Sequence, residues 1–208
     1  MSIARIRGAR HWIFDLDGTL TVAMHDFDAI RTALDLPTGR PILEALAELP
    51  AADAARRAER LEAIELELAL AARPAKGADR LLEALSRAGA DLGIATRNSR
   101  ANALATLRAA GLDRFFAEPC VLGRDEAAPK PRPDALHRLI DGWRGAAGAA
   151  VMVGDYLFDL QAGREAGAAT VYVDPAGLFP FADFADVSVC GLDELLDDPR
   201  LDFGSPLR

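Results

Sequence analysis

The sequence predicts an α/β fold: a parallel sheet core flanked by helices, with a small all-helical module inserted after the first strand. Three observations predict it. Short apolar runs recur along the chain with helix-length patterns between most of them, the signature of strand–helix–strand units. One stretch early in the chain breaks that alternation and reads as helix only. The chain has 208 residues, 50% of them hydrophobic, enough for one domain with a sizeable core or a core plus a small insert.

The strands are expected at His11–Phe14, Asp91–Ala95, 120–122, 149–153 and 170–173, each a short apolar run. Helices are expected between them. Residues 77–88 carry Leu81, Leu82 and Leu85 on one face. Residues 99–110 carry Ala103, Leu104 and Leu107 and stop at Gly111. Residues 133–140 follow a Pro-rich turn, and 157–166 end at Gly167. Continuous apolar strands of this kind belong to a Rossmann-like parallel sheet covered on both faces.

The helix-only stretch is 22–73. Its first helix, 26–36, ends at Pro37-Thr38-Gly39. The second, 41–49, starts on a proline, whose missing N–H is harmless there. The third and longest, 53–72, shows a stripe of Leu61, Ile64 and Leu68. The organisation expected is therefore a core of residues 1–21 and 74–208 and a helical cap of 22–73. The cap leaves the core at the tip of the first strand, where a mobile module can act as a lid.

Composition excludes several function classes. Formal net charge is -8, pI is about 4.9, and no block of Lys and Arg stands out, so no nucleic-acid footprint is expected. No apolar run reaches the roughly 18 residues of a membrane span. The segment Met1 to Arg7 lacks the apolar stretch of a signal peptide, and a cytoplasmic location is the default expectation. Cys120 and Cys190 lie far apart without metal-ligand spacing and are expected to be small buried hydrophobes. A monomer is the default, with a homodimer as the alternative.

Chemistry-bearing residues collect where the expected strands end. Asp15-Leu16-Asp17-Gly18-Thr19 follows His11–Phe14 directly. Positions i and i+2 of a strand project to one side, so Asp15 and Asp17 share a space and repel unless a cation or a proton lies between them. Thr96-Arg97-Asn98 follows the second strand and opens the next helix, where a hydroxyl and backbone N–H groups suit an anion. Lys130, between Pro129 and Pro131, follows the third strand and offers a point charge for phosphate. Asp155, after Gly154, and Asp159 follow the fourth, and carboxylates so placed favour Mg2+. Each cluster also has an ordinary structural reading: an acidic turn, helix caps at Thr96, Asn98 and Asp155, a solvated lysine. The joint order of acidic pair, hydroxyl, lysine and acidic pair is far more specific than any part.

That joint pattern resembles the haloacid dehalogenase superfamily of hydrolases. Asp15-x-Asp17-Gly18-Thr19 matches its first motif, Thr96 the second, Lys130 the third, and Gly154-Asp155 with Asp159 the fourth. The helical insert sits where that family carries its first-type cap. Ala162-Gly163 and Ala166-Gly167 add a likeness to the phosphoglycolate phosphatase-like branch. The resemblance implies a phosphatase acting on a small phosphorylated metabolite through an aspartyl-phosphate. Asp15 would be the nucleophile and Asp17 the general acid and base. Mg2+ would be held by Asp15, the backbone carbonyl of Asp17, and Asp155. Lys130 and Thr96, with Arg97 and Asn98 beside them, would bind the phosphoryl oxygens, and Asp159 would orient Lys130 or a metal-bound water.

Four alternatives compete with this reading. Dehalogenases of the superfamily lack the second aspartate, so Asp17 argues for phosphoryl transfer. A sugar-phosphate mutase needs a water-excluding cap, for which 22–73 is short. A phosphonatase needs a cap lysine, and 22–73 contains none. A non-catalytic binding or regulatory module on the same fold would be marked by loss of Asp15, Asp17 or Lys130, and all three are present. Arg132 stands where many relatives have histidine and is expected to be solvated. His25 and Arg40 are the cap-side residues expected to face the site, while His11 and His137 form no cluster with His25.

Overall fold

The computed structural model describes residues 3–201. Six parallel strands form one sheet: β1 (His11–Phe14), β2 (Asp91–Ala95), β3 (Val121–Leu122), β4 (Ala150–Gly154), β5 (Ala169–Val173) and β6 (Val187–Val189). Their order is β3-β2-β1-β4-β5-β6. The chain runs outward from β1 to β3, then restarts beside β1 at β4 and runs outward the other way. The switch point lies between β1 and β4, and open α/β sheets bind ligands outside the strand ends at such a point. The register pairs Phe14 with Ile94 on one side and with Val153 on the other, so three strands end level beside one another.

Successive residues of β1 face opposite ways, as strand geometry requires. Trp12 and Phe14 join Leu92, Ile94, Val151 and Val153 in one core layer. Ile13, Ala95 and Met152 face the other layer, under Leu136, Leu139 and Ile140. Trp12, Ile13 and Phe14 are wholly buried, and each such side chain contributes on the order of 1.5–3 kcal/mol. This two-sided burial anchors the strand whose tip carries Asp15. The covering helices are α4 (Ala78–Arg87), α5 (Arg100–Ala109), α6 (Asp134–Gly142), α7 (Leu157–Glu165) and α8 (Asp193–Asp197), preceded by α1 (Phe27–Ala33), α2 (Ile42–Ala47) and α3 (Ala51–Leu70).

The first three helices fall within 22–73 and share a third apolar cluster, built on Ile30, Leu34, Leu36, Ala45, Leu46 and Leu61. The first two are shorter than expected, and the third keeps its expected length but is shifted by two residues. Asp35 takes a left-handed φ of 51° just past the Leu34 C-cap of α1, and that ends the helix. Pro50 occupies the N-cap of α3 and starts it two residues earlier than the stripe indicated. The chain leaves and re-enters the core along paired strands of backbone: the Val22 amide donates to the Arg73 carbonyl at 3.0 Å and the Ala75 amide to the Leu20 carbonyl at 2.8 Å.

Three elements differ from expectation. β6 and α8 were not expected, because a three-residue strand and a five-residue helix are too short to show a period. β3 is only two residues long, since Cys120 lies in a short 3-10 turn, Glu118–Cys120. Neither cysteine is a buried hydrophobe: Cys120 is half-buried, and Cys190 is exposed because it follows the half-exposed edge strand β6. No helix among the described residues is long and apolar enough to cross a membrane. Of the N-terminal segment read above, Met1 and Ser2 lie outside the described residues.

Candidate active site

The site grows out of the β1 tip. The Asp15 amide donates to the Val153 carbonyl at 2.8 Å, carrying the ladder one residue past the strand. The chain then turns on the Leu16 carbonyl, which receives the amides of Leu20 at 3.0 Å and Thr21 at 2.9 Å, while the Gly18 amide donates to the Thr21 carbonyl at 2.9 Å. Leu16 itself is fully buried in the core while Asp15 and Asp17 line the cleft, as strand alternation requires. Gly18 has φ of 85°, and a Cβ there would lie 2.2 Å from Asp155 Oδ2. Only glycine lets the β4 tip approach the β1 turn this closely.

Lys130 is the centre of the cluster. It is 3% exposed, and its Nζ donates to Asp15 Oδ1 at 2.5 Å and to Asp159 Oδ1 at 2.6 Å. The other Asp159 oxygen, Oδ2, accepts from the Tyr156 amide at 3.0 Å, ahead of the first turn of α7. Gly154 makes room for this aspartate, since a Cβ there would lie 2.2 Å from Asp159 Cβ. Carboxylate oxygens of Asp15, Asp155 and Asp159 all lie within 4.8 Å of one another. The Asp17 carboxylate is turned elsewhere: Oδ2 accepts from Asn98 Nδ2 at 2.7 Å, and Oδ1 lies 3.8 Å from His25 Nδ1.

Electrostatics follow from crowding four carboxyls around one ammonium. Burial pushes Asp155 up to about 8, and Asp15 and Asp159 add to the rise. Burial pushes Asp17 up to about 6 against the opposing pull of Lys130 and the Asn98 hydrogen bond. Asp159 is raised to about 6 by burial, again against Lys130, and Asp15 is raised by burial in the same way. Burial opposes the charge on Lys130, but Asp15 and Asp159 outweigh it and hold the ammonium above the ordinary lysine value. Such a cluster carries excess negative charge that an added cation relieves.

A family model for haloacid dehalogenase-like hydrolases matches residues 10–167. The chain belongs to that family. Among its relatives, a protein named probable phosphatase IndB from Dickeya dadantii is 32% identical over 185 residues, covering 77% of this chain and 79% of the other. A phosphoglycolate phosphatase of Mesorhizobium japonicum is 38% identical over 103 residues, covering 49% of this chain and 44% of its own length, in line with the branch the tail motif resembles. A hydrolase from Pseudomonas syringae shares the fold with a TM-score of 0.72 at 24% identity, covering 90% of this chain and 96% of that one.

This haloacid dehalogenase-like hydrolase gathers Asp15, Asp17, Thr96, Asn98, Lys130, Asp155 and Asp159 around one cleft of about 390 Å³. Thr96 and Asn98 do not open the helix as expected. Ser99 is the N-cap of α5, and Thr96 Oγ1 instead accepts from the Asn98 amide at 3.2 Å, which ties the preceding turn together. Arg97 lines the cleft but spends its guanidinium on the α2 side: Nη2 donates to both Glu44 oxygens at 2.9 and 2.7 Å, and Nη1 donates to the Lys130 carbonyl. A phosphate-facing role would require Glu44 to let go. Arg40 also lines the cleft and is held bidentately by Glu48 at 2.6 and 2.5 Å. His25 lines the cleft and stacks on Phe27 with ring centroids 5.5 Å apart. Arg132 is exposed and pairs with Asp134 at 3.2 Å; His11 is buried against Asp91 and Trp143, and His137 is exposed.

Sequence reasoning missed a polar seam between α3 and the core. Glu65, 6% exposed, accepts from Arg124 Nη1 at 2.8 Å and from Asn102 Nδ2 at 3.4 Å. Glu62 accepts from Arg124 Nη2 at 2.7 Å and from Ser99 Oγ at 2.5 Å. A signal was present: Glu65 falls inside the stripe of Leu61, Ile64 and Leu68, and an acidic residue on an apolar face needs a buried partner.

Proposed function

We propose that this hydrolase is a Mg2+-dependent phosphatase that cleaves a small phosphomonoester through a phosphoryl-aspartate at Asp15. The observation that carries the reading is the buried Lys130 ammonium bonded to Asp15 at the β1 tip, with Asp155 and Asp17 on either side. The donor set fits a hard divalent cation. Asp15 and Asp155 offer carboxylate oxygens in reach of one another, and their raised proton affinities mark charge in need of compensation. Asp159 fits the role of a positioning group, because both its oxygens are engaged, one by Lys130 and one by the Tyr156 amide. Bound by Asp15, Asp155 and the Asp17 backbone carbonyl, Mg2+ supplies positive charge that offsets repulsion between a carboxylate and a phosphate.

The chain's own residues then divide the work. Lys130 opposes the burial that raises Asp15 and fixes its carboxylate by a hydrogen bond, and an Asp15 oxygen attacks phosphorus while the ester P–O bond breaks. Asp17, whose proton affinity lies close to neutrality, gives its proton to the departing oxygen. Asp17 then takes a proton from water, the water oxygen attacks phosphorus, and phosphate leaves with Asp15 restored. Asn98 keeps the Asp17 carboxyl turned toward the leaving-group side, and Thr96 with Lys130 receives the remaining phosphoryl oxygens. Residues 22–73 act as a cap over the cleft, joined to the core by two adjacent connections that serve as its hinge. We further propose a cytoplasmic protein, a monomer or a homodimer, working on a small phosphorylated metabolite, with neither nucleic acid nor membrane as partner.

The test is hydrolysis of p-nitrophenyl phosphate by the purified protein. Turnover is expected with Mg2+, is expected to vanish with a chelator, and is expected to vanish in Asp15→Asn. Mg2+-independent turnover, or a fully active Asp15→Asn variant, defeats the proposal.

A further inference from the structure

The phosphoryl end of the cleft is polar, and its other half sets apolar carbon beside ionic groups that are mostly paired within the protein. The apolar part of the wall supplied by 22–73 is Phe27, Ile30, Pro41, Ile42, Leu43 and Leu61, with His25 beside it. Phe27 is 55% exposed and opens to the cleft, while Ile30 and Leu61 are buried in the apolar cluster of 22–73 and reach the cleft only at its edge. Three guanidiniums also line that side, and among the described residues each is already neutralised by the protein. Arg31 pairs with Asp28 at 2.7 Å, Arg40 with Glu48 and Arg97 with Glu44. Arg97 in addition lies over the Phe158 ring, 5.0 Å from its centroid. Glu65 lines the same cleft as a further acidic group. A leaving group bearing a carboxylate or a second phosphate would meet apolar carbon, spent cations and acidic neighbours.

The geometry points to an uncharged, largely apolar leaving group, an aryl or short alkyl alcohol esterified to phosphate, as the substrate class of this site. The inference rests on the phosphatase reading above and narrows it. Size sets a second bound. A volume of about 390 Å³ that includes the phosphoryl end lies low in the roughly 300–1,000 Å³ range of small-molecule sites. It has room for a phosphate with one ring or a short chain. Selection works through desolvation: an anion entering this half gives up water and meets guanidiniums whose charge is already paired with carboxylates, whereas an apolar group gains by leaving water.

The test uses phosphate esters of three primary alcohols, so that the leaving oxygen is similar in all: benzyl phosphate, phosphoglycolate and glycerol 1-phosphate. With saturating Mg2+, kcat/KM for benzyl phosphate is expected to exceed that of both others by about tenfold or more, the usual worth of a matched apolar pocket. Glu44→Ala frees the Arg97 guanidinium at the cleft wall. This variant is expected to raise kcat/KM for phosphoglycolate several-fold and to leave the benzyl phosphate value nearly unchanged. Equal or better turnover of phosphoglycolate by the wild-type protein overturns the inference while leaving the phosphatase reading intact. A substrate ratio unmoved in Glu44→Ala overturns it as well, because selection against charge would then not come from paired cations. Failure to hydrolyse any of the three, or p-nitrophenyl phosphate, removes the phosphatase reading and this inference with it.

Discussion

Replacing Arg124 with alanine isolates the seam between α3 and the core. Arg124 donates to Glu65, to Glu62 and to the Arg97 carbonyl, and its side chain is 14% exposed. Its removal leaves the Glu65 carboxylate, 7% exposed, with only Asn102 as a partner. Breaking a buried pair from one side costs roughly 3–5 kcal/mol when the remaining charge cannot neutralise itself. Glu65 can take up a proton, so about 2–3 kcal/mol is expected at neutral pH. For a chain of 208 residues each 1 kcal/mol lowers Tm by roughly 2–4 °C, which puts the loss at roughly 4–12 °C. The pH dependence has a definite sign. Burial raises the Glu65 pKa above its unfolded value, and Arg124 works against that rise. A carboxyl with a raised folded pKa favours folding most below its unfolded pKa and loses that contribution as pH rises through the folded one. Without Arg124 the folded pKa climbs further, so the deficit deepens from mildly acidic to neutral pH. Calorimetry of Arg124→Ala and wild type at several pH values reads this directly. The double variant Glu65→Leu with Arg124→Leu should recover much of the loss, since an apolar pair replaces a buried ionic one at little cost. A deficit under about 1 kcal/mol, or one independent of pH, refutes the argument.

The remaining predictions concern the cleft. Asp17→Asn should lower kcat far more for an alkyl phosphate than for p-nitrophenyl phosphate, because only the poorer leaving group needs a proton; equal losses in the two assays would remove Asp17 as general acid. Asp155→Ala should weaken Mg2+ binding in a calorimetric titration, whereas Lys130→Ala should depress turnover with a smaller change in Mg2+ affinity, and the reverse pattern would contradict both assignments. Asp17, Asp155 and Asp159 have folded pKa values raised to about 6, 8 and 6, so the chelator-treated protein should lose stability as pH climbs from about 4 to 8. Mg2+ should accordingly raise Tm more at pH 8 than at pH 5, and a shift that shrinks with pH would count against carboxylate ligation.

Strands β1, β2 and β4 were legible because they are buried on both faces, so each appears as an unbroken apolar run bounded by polar residues. The tips of β1 and β4 were legible for the same reason: a carboxylate ending an apolar run has no packing role to fill. β6 escaped because its residues Val187, Ser188 and Val189 form an edge with a half-exposed pattern and too few positions to show a period. At Arg97 the spacing put a guanidinium at the site, but the residue that captures it, Glu44, lies 53 positions away, and no local pattern announces such a partner. Arg40 is the same case on a smaller scale, claimed by Glu48 across the α2 helix. The Glu62, Glu65 and Arg124 seam was missed because the stripe on α3 was read as purely apolar, with its interrupting glutamate passed over.

The central claim is that Asp15 carries the phosphoryl group. Rapid acid quenching of Asp17→Asn during turnover of p-nitrophenyl phosphate, followed by peptide mapping by mass spectrometry, tests it most directly. The variant still forms the intermediate from this activated ester but lacks the base that speeds its hydrolysis, so phosphorylated enzyme should accumulate. The account predicts a phosphoryl mass increment on the peptide bearing Asp15, located to Asp15 by fragmentation and absent when Asp15→Asn is added. Steady turnover with no increment at Asp15, or an increment on any other residue, would contradict it.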